Sequence, residues 1–151
     1  MKRKRRILAV CSGGGHWVQM KRLGKAFDGC HVAYATVLPA DTSGLNDAAL
    51  FAIPDANRET KFRLCVLILR LIWVIAVVRP DVIISTGAAA GYLSIRIGKF
   101  LGARTLFVDS IANAEELSMS AKLAKGHADE TLSQWESVAE SKGVSYWGAV
   151  V

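Results

Sequence analysis

Residues 7–20, ILAVCSGGGHWVQM, set three consecutive glycines between an apolar run and a stretch whose apolar residues recur at helical spacing. Ile7–Cys11 has the composition of a buried strand, and His16–Phe27 predicts a helix, with Leu23, Ala26 and Phe27 near Met20 on one side. A strand that ends in glycines and turns directly into a helix belongs to an α/β fold. It is also where such folds hold phosphate groups. Glycine lets a ligand approach the backbone amides, and the helix start adds unpaired N–H groups with partial positive charge. Ser12, Gly13, Gly14 and Gly15 are therefore expected to cradle a phosphate or diphosphate, the other reading being a tight turn without a ligand.

The rest of the chain continues the alternation. Strands are expected at Cys30–Thr36, Ala49–Ile53, Asp81–Ser85, Arg104–Val108 and Glu130–Leu132, with a further one at Val144–Trp147. Helices are expected at Phe62–Val78, from Ala88 to Gly102, at Leu117–Leu123 and at Ser133–Ala139, with Leu38–Asn46 a loop. Strands alternating with helices predict an α/β, Rossmann-like parallel sheet covered on both faces, whose ligands bind beyond the C-terminal strand ends. Three turns fall there: Ser12–His16, Ser85–Gly91 and Asp109–Asn113. His16 is a candidate general base or hydrogen-bond donor, or else it orients the first helical turn. Asp109 either orients a substrate hydroxyl or caps the next segment; Glu115 and Glu116 read as a solvated helix start.

Several classes are disfavoured. Gly13-x-Gly15 is followed by Val18 where a dinucleotide fingerprint has its third glycine, and Thr36 ends the second strand where a ribose-binding acid is needed. Gly24-Lys25-Ala26 fails the Walker pattern, and no GxSxG surrounds Ser12. Cys11, Cys30 and Cys65 lack metal-ligand spacing, so no metal and no cofactor is expected, and their odd number suits a reducing compartment. The apolar run after the basic start is shorter than a signal peptide needs.

The net charge of +6 is concentrated in Lys2, Arg3, Lys4, Arg5 and Arg6; without that run the chain is close to neutral. We expect residues 1–6 to be a basic tail and 7–151 a single domain. The tail could hold an anionic membrane, act as a solubilising segment, or contact nucleic acid, the last being disfavoured because no aromatic-studded basic groove accompanies it. Leu64–Val78, LCVLILRLIWVIAVV, reaches only about 22 Å as a helix, short of a ~30 Å hydrocarbon core, and Arg70 interrupts it. Arg63 and Arg70 share a face near Trp73, which suits a membrane interface; an ordinary buried helix with two snorkelling arginines is the alternative.

The order SGGGHWVQMKRL, RPDVIISTGAAAG, GARTLFVDSIANAEELSMSAKLAKGHADETLSQWES and SYWGAVV resembles one family along almost the whole chain. It is the ALG-fourteen family, the acceptor-side, membrane-associated subunit of a two-part UDP-sugar transferase in lipid-linked oligosaccharide synthesis. The resemblance is stronger to that family's bacterial exopolysaccharide and capsule branch. It implies the N-terminal half of a GT-B glycosyltransferase, completed by a separate subunit that binds the nucleotide sugar. It also implies a polyprenyl-diphosphate-linked acceptor and peripheral attachment to the cytoplasmic membrane face. Carried over by residue, Gly13, Gly14, Gly15 and His16 match the glycine-His loop, and Pro80-Asp81 with Ser85, Thr86 and Gly87 match a second cleft turn. Asp109 and Ser110 match an acidic-Ser pair where the family often has Glu, and Ser118, Gln134 and Trp135 match the LS…QW segment. Tyr146, Trp147, Gly148, Val150 and Val151 fall in the end expected to dock the partner. Two other functions fit the residues: a non-catalytic membrane scaffold for a self-sufficient transferase, and a stand-alone nucleotide-binding enzyme.

Overall fold

A computed structural model describes residues 3–37, 41–45, 47–57 and 59–150. Lys2 of the basic run, Val151 of the docking end and residues 38–40 and 46 of the expected loop lie outside the described residues.

Six strands form one sheet: β1 (Arg6–Val10), β2 (His31–Thr36), β3 (Ala49–Ala52), β4 (Val82–Ser85), β5 (Arg104–Val108) and β6 (Glu130–Leu132). Every pairing is parallel and the order is β3-β2-β1-β4-β5-β6. The helices are α1 (Gly15–Arg22), α2 (Lys61–Val78), α3 (Ala88–Phe100), α4 (Met119–Ala124) and α5 (Glu136–Lys142). The Rossmann-like class expected from the sequence is therefore the fold observed.

Strand alternation divides the core. Leu8, Val10, Ala33, Ala35, Ile83 and Phe107 point to the face covered by α2 and α3, with α4 and α5 contributing Ala121, Ala124 and Val138. Ile7, Ala9, Cys11, Tyr34 and Ile84 point to the other face, under Trp17 and Met20 of α1. On α3, a Cβ at Gly91 would collide with Ser85 Oγ and one at Gly98 with Ile83 Cδ1. These two positions, seven apart on the sheet-facing side, let the helix lie close over β4. Its N-terminus is thereby fixed beside the end of that strand.

Four expectations need correction. The first helix stops at Arg22, and Leu23–Phe27 tightens into a 3₁₀ turn around Gly24, a poor helix former. The basic run is not all tail: Arg6 is the first residue of β1, in register with His31. Ser133–Trp135 is a turn, so the last helix starts at Glu136. Val144–Trp147 is not a strand; only Ser145 bridges to Leu132, and the bulky Tyr146 and Trp147 that follow it are exposed and unpaired with β6.

Asp81 explains the start of β4. Its carboxylate accepts the Arg6 amide at 2.8 Å and pairs with Arg3 at 2.5 Å, tying the N-terminal segment to the base of the sheet. The Arg6 hydrogen bond first, and Arg3 second, hold its pKa below the usual carboxylate value.

Candidate functional site

β1 and β4 are neighbours, yet their following helices cover opposite faces: α1 one, α3 the other. That is the topological switch point, and the crevice beyond the two strand ends is the natural ligand position. The glycine turn and the Ser85–Gly87 turn both open into it.

The glycine turn is built by backbone conformation. Gly14 has φ +64°, and its carbonyl accepts the third and fourth helical amides, from Trp17 at 3.1 Å and Val18 at 3.2 Å. The amides of Gly15 and His16 have no acceptor among the described residues. No side chain caps α1, and no acidic residue sits in its first turn. α3 begins alike: Gly87 at φ +139°, no side-chain cap, no acid in the first turn, and Ala88 at φ +65°. A non-glycine residue with positive φ costs about 1–2 kcal/mol. Two uncapped helix starts of matching polarity thus flank one crevice, and an anion placed there would meet the partial charge of both.

His16 joins the turns. Its Nδ1 lies 2.8 Å from the Thr86 carbonyl oxygen, and the Thr86 hydroxyl donates to the His16 carbonyl at 2.8 Å. A carbonyl can only accept, so Nδ1 carries the proton and the neutral ring keeps a lone pair at Nε2. Nε2 has no partner among the described residues. The ring packs against the bare face of Gly87, where a Cβ would stand 2.6 Å from Nδ1. Thr86, fully buried, is therefore a clasp on His16: its hydroxyl faces the glycine turn and not solvent. Ser85 Oγ accepts the Gly87 amide at 3.2 Å. Ser12 contributes its carbonyl to Thr36 Oγ1 at 3.1 Å, and Gly13 lies against Val37.

The third turn joins the same construction from the far side. The Asp109 carbonyl accepts Gln19 Nε2 of α1 at 3.1 Å and Gln134 Nε2 at 2.8 Å. The Asp109 side chain is 2% exposed and spent on its own loop. Oδ1 accepts from the Ser110 amide at 2.9 Å and Asn113 Nδ2 at 3.0 Å; Oδ2 accepts from the Ser118 amide at 2.8 Å. Of the two roles expected for this carboxylate, loop organisation is the one its contacts fill. Ser110 Oγ likewise accepts the Ala112 amide at 3.2 Å. Sequence reasoning missed Gln19 altogether, since a lone glutamine in a helix carries no pattern.

Gln134 reaches further: its Oε1 accepts the Val150 amide at 2.7 Å. The C-terminal residues Trp147, Gly148 and Val150 then roof an apolar groove of about 380 Å³ over Ile84, Leu106 and Leu132, on the part of the sheet that α1 leaves uncovered. Trp147 is exposed at its edge, and the neighbouring Tyr146 is exposed as well.

The residues expected at a membrane lie elsewhere. Arg63 is exposed on α2; Arg70 donates from Nε to the Ala52 carbonyl at 3.1 Å, with its guanidinium 4.5 Å from the Trp73 ring centroid. Trp73 meets Phe51 edge-on at 5.8 Å. Among the described residues no helix is long and apolar enough to cross a membrane, and no cluster of His, Cys, Asp and Glu could hold a metal ion.

A family model described as "Oligosaccharide biosynthesis protein Alg14 like" matches residues 52–150. No curated protein matches the chain. Among solved structures, MurG of Acinetobacter baumannii superposes with a TM-score of 0.72 at 12% identity, over 89% of this chain and 43% of that one. UDP-N-acetylglucosamine 2-epimerase of Rickettsia bellii gives 0.72 at 11% identity, over 95% and 43%. A glycosyltransferase of Rickettsia africae gives 0.61 at 16%, over 88% and 37%. The chain thus spans less than half the length of these structures, and the likeness is one of fold: the N-terminal half of the GT-B architecture.

Proposed function

The chain belongs to the Alg14-like family of oligosaccharide biosynthesis proteins, and from that premise we propose that it is the acceptor-side subunit of a two-component glycosyltransferase. Its partner would be a separate subunit carrying the UDP-sugar site, and its acceptor a sugar on a polyprenyl diphosphate in exopolysaccharide or capsule synthesis. The observation that carries this reading is the crevice itself, where two uncapped helix starts are joined through His16 and Thr86. The likeness of the fold to the N-terminal half of GT-B structures accords with this reading.

In this reading the free amides of Gly15 and His16 hold the acceptor diphosphate, and the start of α3 adds to the field. The acceptor hydroxyl oxygen forms a bond to the anomeric carbon of the donor as the bond from that carbon to the UDP oxygen breaks. The hydroxyl proton passes to His16 Nε2, the ring nitrogen that the Thr86 contact leaves unprotonated. UDP departs with the partner subunit. Asp109 takes no part in the proton transfer; with Gln19 and Gln134 it positions the third turn. The C-terminal residues 146–151 dock the partner. The basic segment with Arg63, Arg70 and Trp73 faces anionic lipid on the cytoplasmic side.

The test is reconstitution. Copurification of the tagged chain from its native membranes is expected to yield a small partner with a nucleotide-sugar-binding domain. The pair should transfer sugar from UDP-sugar to lipid acceptor, and the single chain should not. In the pair, His16→Ala should lower kcat by about 10²–10⁴ with the complex intact. Robust turnover by the single chain would refute the half-enzyme, and an unchanged rate for His16→Ala would reduce the chain to a scaffold.

A further inference from the structure

We propose that the protein lies face-down on an anionic bilayer on its α2–α3 side, with α2 in the membrane plane and the Phe100–Leu101 corner as a second point of insertion. This rests on the membrane reading above and specifies the surface and the orientation. The N-terminal basic run is then the lesser anchor.

The side of α2 opposite its buried residues Leu67, Leu71, Val74 and Ile75 exposes Phe62 (81%), Val66, Leu69 (68%), Trp73 and Val77. At 3.6 residues per turn these exposed positions form one stripe about 22 Å long from Phe62 to Val77. No acidic residue occurs anywhere in α2. α3 packs beside it on the same face, and both helices run opposite to the strands. Their C-terminal ends, with Val77 on one and Phe100 on the other, therefore reach the same end of the sheet. Phe100 is 90% exposed, and Leu101 beside it is 56% exposed.

The charges around this face select the occupant. Arg63 flanks the stripe, and Lys4, Arg5, Arg79 and Arg104 stand at the Phe100 end; none makes an ion pair among the described residues. An apolar surface rimmed by cations matches acyl chains beneath phosphate headgroups, with insertion of about 5–10 Å. The tail is less free than its sequence implies: Arg3 is paired with Asp81, and Arg6 is in β1. The orientation also keeps the start of α2, and with it the C-terminal strand ends and the crevice, beside the lipid surface.

The four tryptophans report the orientation. Trp73 is on the proposed face, Trp17 is buried beneath α1, and Trp135 and Trp147 are on the α5 and C-terminal side. Single-tryptophan variants of the full chain are mixed with phosphatidylcholine–phosphatidylglycerol vesicles containing brominated acyl chains. Trp73 should be quenched and Trp147 not. Phe100→Ser should weaken partitioning about tenfold, the effect of withdrawing one phenylalanine from an apolar phase, with an unchanged melting temperature because the side chain supports nothing in the fold. Quenching of Trp147 in place of Trp73 would overturn the orientation. So would vesicle binding that ignores Phe100→Ser and Trp73 and disappears when residues 2–5 are deleted; the membrane reading would then survive without this surface. If the unmodified chain binds no vesicles, the membrane reading falls and this inference with it.

Discussion

Gly87→Ala tests the joint between the two turns. Gly87 sits at φ +139°, ψ −173°, a backbone region essentially confined to glycine, and holding alanine there costs about 1–3 kcal/mol. The new Cβ would stand 2.6 Å from His16 Nδ1, so the imidazole must swing away and lose its bond to the Thr86 carbonyl, about 0.5–1.5 kcal/mol more. The expected loss is about 2–4 kcal/mol, or roughly 5–15 °C in melting temperature for a chain of this size. Gly14→Ala is the control: its φ of +64° and ψ of −136° are strained for alanine, but a Cβ there meets nothing within 4 Å, so backbone strain alone, about 1–3 kcal/mol, should be lost and His16 should stay in place. Urea unfolding gives the two free energies, and ¹⁵N NMR of the imidazole gives the tautomer. The unmodified chain should show an Nδ1-protonated ring. Gly87→Ala should lose that preference, and Gly14→Ala should keep it. Gly87→Ala with unchanged stability and tautomer would refute the claim that the close approach of His16 to Gly87 fixes the ring.

Four other outcomes follow from single contacts. Asp81 has a folded pKa below its unfolded value, so its stabilisation is present above about pH 4 and disappears as pH falls through the carboxylate range; Asp81→Asn should lower neutral-pH stability and flatten the acid limb of the stability–pH curve. Gln134→Leu removes the acceptor of the Val150 amide and one of two donors to the Asp109 carbonyl, and should cost about 1–3 kcal/mol and speed hydrogen exchange at Val150. Burial pushes the Cys11 thiol up to about 11, so a thiol reagent near neutral pH should label exposed Cys65 quickly and Cys11 only on unfolding, as peptide mapping by mass spectrometry would show. Phe107→Ala, at a fully buried site in the α2–α3 face, should cost about 3–5 kcal/mol by urea unfolding.

The sequence alone determined the elements and their order. Strand and helix patterns are local: apolar runs of strand length at Val82–Ser85 and Arg104–Val108, helical spacing in α1, and glycines where the chain must turn. The crevice could be placed at the strand ends for the same reason, because topology follows from alternation. Where local pattern was weak, it misled: Val144–Trp147 alternates like a strand, but only Ser145 reaches β6. The basic run read as one tail because Asp81, the group that captures Arg3 and Arg6, lies more than seventy residues away.

The roles of the site residues were decided only by the tertiary structure. His16 owes its tautomer to a carbonyl seventy positions along the chain, and the Thr86 hydroxyl, which by its place in the turn could equally meet a ligand, is spent on the His16 carbonyl. In one dimension Asp109 could equally orient a substrate hydroxyl or cap the next segment; burial and three donors commit its carboxylate to its own loop. Hydrogen bonds of this kind join whatever strand order brings within 3 Å, and no local pattern encodes that. A sequence specifies which backbone turns can exist, whereas the role of a polar side chain depends on the partner that folding places opposite it.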